Sequence, residues 1–239
     1  MKAILLAAGL GLRLRPLTNS IPKCLVPIQG HPLLEVWLDQ LTRHGVESFR
    51  VNTHYLPDKV RECVAASPHR DKVSLVHEPE LLGTAGTVWA NREWIGNEPF
   101  MLIHADNLCL CDFSAFIQAH QARPARAVLT MMTFETTSPE TCGIVGIDHE
   151  GMITAMHEKS PTANGTTANA AVYIAEPEIL DFEDWSICPP LDFSTEVITS
   201  LMGSIYAWKN KGFHEDIGTL EKYNQSNQEV ARQARWIHE

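Results

Sequence analysis

The chain has 239 residues, 44% of them hydrophobic and 20% charged, which is enough for one large domain or two small ones and excludes a disordered or fibrous class. A formal net charge of −10 argues against a general nucleic-acid binder, because phosphate backbones demand clustered basic residues. Lys2, Arg13, Arg15 and Lys23 nevertheless precede the first acid, Glu35, leaving 15 of the 19 basic residues for a remainder that holds all 29 acids. A positive field of that kind in an acidic chain suits one compact anion.

In chain order, residues 2–7 (KAILLA) read as a strand, one of several short apolar runs of the kind buried parallel strands show. A helix is expected over 32–44, where Leu34, Trp37, Leu38 and Leu41 fall at i, i+3, i+4 and i+7 and Gly45 supplies the stop. Strands follow at 49–53, 73–77, 100–104 and 127–132, with helix-like segments at 58–66, 84–92 and 112–121. After about residue 140 the strand-like runs CGIVGID, MITAMHE and NAAVYIA lie closer together, with a hairpin turn at His149-Glu150-Gly151. Helical pieces at 194–202 and 219–232 close the chain. The alternation predicts a Rossmann-like, doubly wound, mostly parallel α/β sheet flanked by helices, with an antiparallel excursion in the second half. Ligands of such sheets bind beyond the carboxyl ends of the strands.

Cys24, Cys63, Cys109, Cys111, Cys142 and Cys188 lie mostly in or beside apolar runs and read as reduced core thiols. Cys109-Leu-Cys111 near His104 lacks both the C-x-x-C spacing and a second ligand pair, so structural zinc is not expected there. MKAILLAAGLGL runs straight into Arg13 and Arg15 without a small-x-small cleavage site, and no apolar run approaches a span of about 20 residues. The expectation is a soluble, cytoplasmic protein.

The stretch AAGLGLRLRPLTNSIPKCLVP, residues 7–27, follows the first strand. Its glycines offer a turn where backbone N–H groups can approach phosphate. The dinucleotide fingerprint fails at Leu14, where a third glycine is needed, and no G-K-S/T follows for a P-loop. What remains is Gly9-Leu10-Gly11-Leu12-Arg13 with Pro22-Lys23 downstream. One guanidinium and one ammonium converging on a glycine turn suit a polyphosphate whose charge rises as a bond to phosphorus breaks.

This stretch resembles the signature of the sugar-phosphate nucleotidyltransferases, the nucleoside-diphosphate-sugar pyrophosphorylases, whose usual form is close to G-x-G-S/T-R-L/M-x-P-L-T followed by P-K. Further resemblances follow in order: EPELLGTAGT (78–87) to the nucleobase loop, HADN (104–107) to the metal-binding G-D-N, CGIV (142–145) to Y-G-V/I-V. HEKS (157–160) is similar to E-K-P, NAAVYI (169–174) to N-A/S-G-I/V-Y, and EDIGT (215–219) to D-x-G-T. The matches run from residue 1 to about 225 and imply a single domain over 1–239, with 1–135 mainly nucleotide-binding and 136–239 mainly sugar-phosphate-binding.

The resemblance implies that an NTP and a sugar 1-phosphate give an NDP-sugar and pyrophosphate, by in-line attack on the α-phosphorus with Mg²⁺. It assigns catalysis to Arg13, Lys23 and Asp106, and Mg²⁺ to Asp106 and Asp216. Nucleotide binding falls to Ala8, Gly9, Gly11, Arg13, Lys23, Gly83, Thr84 and Ala85. Sugar-phosphate binding falls to Asn107, Gly143, Glu158, Lys159 and Asn169. LLGTAGT is closest to the loop of guanylyltransferases acting on mannose or manno-heptose 1-phosphate, so GTP is favoured. UTP or dTTP with a hexose or amino-sugar 1-phosphate is the alternative, as is a catalytically silent regulatory subunit that binds nucleotide sugars. The expected partners are the NTP and the sugar 1-phosphate, with no nucleic acid and no membrane; a homodimer stays open. The chain's end near residue 239 leaves no length for an appended left-handed β-helix. Leu12, Ala105, Cys142, Ser160 and Ala171 depart from the family pattern, three of them on the sugar side.

Overall fold

A computed structural model describes residues 1–160, 164–181 and 190–232. In chain order the chain forms β1 (Lys2–Leu6), β2 (Pro27–Ile28), β3 (His31–Pro32), α1 (Leu33–Arg43), β4 (Ser48–Thr53), α2 (Pro57–Ala66) and β5 (Val73–His77). Then come α3 (Gly83–Ala90), α4 (Arg92–Ile95), β6 (Phe100–His104), β7 (Asn107–Cys109), α5 (Phe113–Gln121) and β8 (Leu129–Glu135). The rest comprises β9 (Gly143–Ile147), β10 (Ile153–Glu158), β11 (Thr167–Ala175), α6 (Ile198–Ser200), β12 (Ile205–Lys209), β13 (His214–Asp216) and α7 (Leu220–Arg232). The fold is of the expected α/β class, a mostly parallel central sheet flanked by helices with small antiparallel sheets.

The physical reasons are local. All four apolar residues of the α1 stripe, Leu34, Trp37, Leu38 and Leu41, are buried, and the chain leaves the helix through Gly45 at φ +86°. The expected helix over 84–92 divides at Asn91, whose side chain turns back to donate to the Thr87 carbonyl at 2.8 Å. Over 194–202 a π-helical turn, Phe193–Val197, precedes the single turn of α6. The strand expected at 127–132 instead runs over 129–135, because the Ala127 N–H is held in a turn by the Pro124 carbonyl.

Contacts divide the described chain into two compact units. One comprises Met1–Ile4, Leu81–Ile103 and Cys111–Gly212. Its sheet runs β10-β9-β11-β6-β1, with β8 beside β11 and β12 beside β8. β11 is antiparallel to β6 and to β8, β10 is antiparallel to β9, and β12 is parallel to β8. The β9–β10 hairpin turns where expected: Asp148 Oδ1 accepts the N–H groups of Glu150 and Met152, and Gly151 at φ +81° passes under the Tyr206 ring. Lys2 closes the C-terminal end of α4, donating to the carbonyls of Trp94 and Ile95 at 2.6 and 3.0 Å.

The other unit comprises Leu5–Glu80, His104–Leu110 and Phe213 onward. The end of β1 neighbours β4, which is parallel to β5, and β7 pairs antiparallel with β13. Among the described residues no helix is long and apolar enough to cross a membrane. Five cysteines are free thiols, with burial pushing Cys24 up to about 12 and Cys63 up to about 11; Cys188 lies outside the described residues.

Candidate active site

At the carboxyl end of β1 the backbone is fixed by side chains rather than by the sheet. The Ala7 N–H donates to Asn52 Oδ1 at 2.7 Å, and Asn52 Nδ2 donates to Glu78 Oε1 at 2.9 Å, with Asn52 and Glu78 both buried. This sets the direction in which Ala8 and Gly9 leave. Gly11 sits in the left-handed region at φ +61°, where a Cβ would lie 3.1 Å from Thr18 Cγ2 and 3.3 Å from Lys23 Cβ. The Thr18 hydroxyl donates to the Gly11 carbonyl at 2.7 Å and closes the loop. A 3₁₀ turn over Leu12–Leu14 then buries Leu14 as an anchor and turns Arg13 outward. Leu12, the departure from Ser or Thr, is exposed on the same turn. A second 3₁₀ turn, Lys23–Leu25, buries Lys23.

The β7–β13 ribbon places Asp216 opposite Asn107, and hence beside Asp106. The Lys23 ammonium lies between the two acids, donating to Asp106 Oδ2 at 2.9 Å and to Asp216 Oδ1 at 2.8 Å. Arg13 Nη2 donates to the other Asp216 oxygen at 3.3 Å. Burial pulls the Lys23 pKa down, but Asp106 and Asp216 outweigh it and hold it above the usual amine value. Burial likewise pushes Asp216 up, and Lys23, Arg13 and Lys222 outweigh it and hold its carboxyl below the usual range. Two carboxylate oxygens converging on one small cation form a hard-oxygen pair, the donor chemistry that suits Mg²⁺. Asp106 and Asp216 therefore fit the metal expected of them.

Two positioning contacts here have no signal in the sequence. A Cβ on Gly218 would lie 2.7 Å from Arg13 Nη2, so the glycine of EDIGT leaves room for the guanidinium. The Asn107 backbone carbonyl accepts from the buried Trp37 indole at 2.9 Å, which fixes the Asp106–Asn107 turn against α1.

In the other unit, Gly83, Thr84 and Ala85 begin α3, and all three are tied to residues 191–193. A Cβ on Gly83 would stand 2.3 Å from the Leu191 carbonyl oxygen, which accepts the Ala85 N–H at 2.9 Å. The Thr84 hydroxyl donates to Asp192 Oδ2 and accepts the Phe193 N–H. Gly143, Glu158, Lys159 and Asn169 form a separate group on β9, β10 and β11. Glu158 pairs with Gly143 in the β9–β10 register, and its Oε2 lies 2.6 Å from where a Gly143 Cβ would be. Exposed Lys159, at φ +45°, pairs with Glu158 at 3.4 Å. Asn169 Nδ2 donates to the buried Tyr173 hydroxyl at 2.7 Å and approaches Met156 Sδ at 3.9 Å. Met156 Sδ is also 3.5 Å from the Gly143 Cβ position, so this methionine, which no family motif singled out, lies between Gly143 and Asn169.

Asn169 also explains a departure. Its Oδ1 accepts the Ala171 N–H at 2.9 Å across a register shift in β11, and this draws Ala171 to φ +53°. That is glycine's region, so the family's glycine answers a backbone need and Ala171 is strained there.

The fold agrees with comparisons to known proteins. The chain belongs to the family described as Nucleotidyl transferase, whose model matches residues 2–233. The mannose-1-phosphate guanyltransferase beta-A of Xenopus laevis is 30% identical over 225 residues, covering 91% of this chain and 61% of the relative. The UTP–glucose-1-phosphate uridylyltransferase of Synechocystis is 30% identical over 197 residues, covering 76% of this chain and 50% of the relative. The chain thus spans between half and two thirds of these relatives' length. The crystal structure of HddC from Yersinia pseudotuberculosis complexed with GMP-PN superposes with a TM-score of 0.78 at 26% identity, covering 96% of this chain and 99% of that one.

Proposed function

We propose that this chain joins an NTP to a sugar 1-phosphate, releasing pyrophosphate and an NDP-sugar. The observation that carries the reading is the Lys23 ammonium held between Asp106 and Asp216, with Arg13 on the outer oxygen of Asp216. A sugar-phosphate oxygen attacks the α-phosphorus, forming one P–O bond as the bond to the β-phosphate breaks. Arg13, exposed and paired with Asp216, meets the charge that grows on the departing pyrophosphate. Lys23 exchanges its carboxylate partners for phosphate oxygens as the substrates arrive, drawing two mutually repelling anions together. The carboxylates it leaves, Asp106 and Asp216, are the pair that would hold Mg²⁺. When bound, Mg²⁺ supplies charge to phosphate oxygens during the displacement.

In the same reading the chain acts as one catalytic domain. Ala8, Gly9, Gly11, Gly83, Thr84 and Ala85 serve the nucleotide through backbone groups. Glu158 accepts from sugar hydroxyls, Lys159 holds the sugar phosphate, and Asn169, Asn107 and the Gly143 backbone orient the ring. GTP with mannose or manno-heptose 1-phosphate is the favoured pair, supported by the guanyltransferase relative and by the GMP-PN complex of HddC. A uridylyl transfer to glucose 1-phosphate is the second reading, supported by an equally similar uridylyltransferase relative. Pyrophosphate release measured with four NTPs against a panel of sugar 1-phosphates in Mg²⁺ tests both. Turnover is expected with GTP and a manno-configured phosphate. No turnover with any pair, together with tight NDP-sugar binding, would instead assign a regulatory subunit.

A further inference from the structure

Apart from the Lys23 cluster, α1 carries two carboxylates one turn apart, Glu35 and Asp39, and the turn after α2 carries His69. Each offers one ligand atom, and the three atoms lie within 4.8 Å of one another. His69 Nε2 stands 2.6 Å from Asp39 Oδ1. The Ser67 hydroxyl donates to Glu35 Oε2 at 3.0 Å and accepts the His69 N–H at 3.0 Å, which fixes the approach of the turn to the helix. The second carboxylate oxygen, Glu35 Oε1, is buried without a hydrogen-bond partner among the described residues. A buried acceptor left unmatched is unfavourable, and here burial also pushes the Glu35 pKa up. The cluster thus has one convergent imidazole nitrogen, two carboxylates and one buried carboxylate oxygen without a hydrogen-bond partner among the described residues.

We propose that Glu35, Asp39 and His69 form a binding site for a borderline divalent transition metal of the Zn²⁺ class, separate from the hard-cation pair Asp106 and Asp216. The imidazole decides the class. Mg²⁺ and Ca²⁺ take oxygen ligands, whereas Zn²⁺ accepts imidazole and carboxylate together. Ligands at about 2.1 Å around a tetrahedral ion stand about 3.4 Å apart, so His69 Nε2 and Asp39 Oδ1 must part from 2.6 Å, while any donor pair standing as far apart as 4.8 Å must close. The Asp39 side chain is 47% exposed and that of His69 14%, so the donors are reached from solvent, which can supply water as a fourth ligand. Binding also matches Glu35 Oε1 and clasps α1 to the turn after α2. Without metal, the His69–Asp39 hydrogen bond holds the same groups close.

The test uses the full chain, stripped by chelation and kept in excess Mg²⁺ so that Asp106 and Asp216 do not contribute, and titrated with Co²⁺. One Co²⁺ per chain is expected, with the visible bands of a four-coordinate nitrogen–oxygen site, no thiolate charge-transfer band, and displacement by Zn²⁺. His69→Gln and Asp39→Asn are each expected to weaken uptake by at least about tenfold while leaving pyrophosphate release unchanged. In the unmutated chain, Zn²⁺ is expected to protect His69 from diethyl pyrocarbonate, read by mass spectrometry, so the test survives a variant that fails to fold. Absence of uptake, a thiolate band, uptake unchanged in either variant, or unprotected His69 would each overturn the proposal.

Discussion

Replacing Lys23 with Met removes the ammonium from between Asp106 and Asp216 and keeps a stem of similar length and apolar character in its buried place. The proposed mechanism then predicts two effects of opposite sign. In the free wild-type chain a metal ion must take both carboxylates from Lys23, breaking ion pairs of 2.9 and 2.8 Å. The acids are 35% and 41% exposed, so solvent screening limits each pair to about 1 kcal/mol. Together that is about 2 kcal/mol, equivalent to roughly thirtyfold in affinity. Lys23→Met is therefore expected to bind Mg²⁺ about thirtyfold more tightly without nucleotide, yet to lose turnover by at least about a hundredfold. Calorimetric Mg²⁺ titration and pyrophosphate release on the same preparations measure both. Unchanged or weaker Mg²⁺ binding would show that Lys23 does not compete for that position, and would remove Asp106 and Asp216 from the metal role.

Asp106→Asn is expected to abolish turnover with the fold intact by circular dichroism; activity within about tenfold of wild type would take Asp106 out of the chemistry. Ala171→Gly relieves a left-handed backbone worth about 1–2 kcal/mol but adds unfolded-chain freedom worth about 0.4–1 kcal/mol. The expected net is a rise in Tm of about 2 °C, and a fall would contradict the assigned strain. His120 and His214 are both lowered to about 4, chiefly by burial. The unfolded chain therefore takes up their protons first, so their contribution is complete above the unfolded value near 6.5 and is lost as pH falls toward 4. Each histidine removes about 1.4 kcal/mol per pH unit across that window. Urea midpoints at pH 7 and pH 5 measure this, and equal midpoints would refute the two shifts.

Short-range pattern was readable wherever one force dominated. The α1 stripe follows from periodicity and the mainly apolar strands β1 and β6 from their apolar runs, because burial rewards both, while Gly151 marked the β9–β10 turn. The divided helix at Asn91 was not readable, since the competitor was a side chain bonding back to Thr87 rather than a breaker residue. At the candidate site, motif order singled out Arg13, Lys23, Asp106 and Asp216, which the structure links by side-chain hydrogen bonds across up to 203 residues of sequence. Their mutual pairing was not readable: nothing local to PKC or HADN says that one ammonium satisfies both acids. The contacts of Asn52, Glu78 and Gly218 were hidden for the same reason, as each is made to a residue distant in the chain, although the last two lie in the quoted stretches EPELLGTAGT and EDIGT. Ala171 stood out as a departure, but its strain comes from a hydrogen bond made two residues away by Asn169.

The Lys23 cluster also changes the meaning of the acid-free N-terminal segment. With Asp106 and Asp216 folded onto Arg13 and Lys23, two positive charges meet two negative ones, and the resting site has no standing attraction for a polyanion. The proposed substrates bring far more negative charge than two cations can balance. Neutrality in the loaded site is therefore imported with them, and nucleotide affinity becomes a function of free divalent-ion activity. In the proposed mechanism magnesium is then a co-ligand whose supply, as much as that of the nucleotide, would meter how often the site is filled.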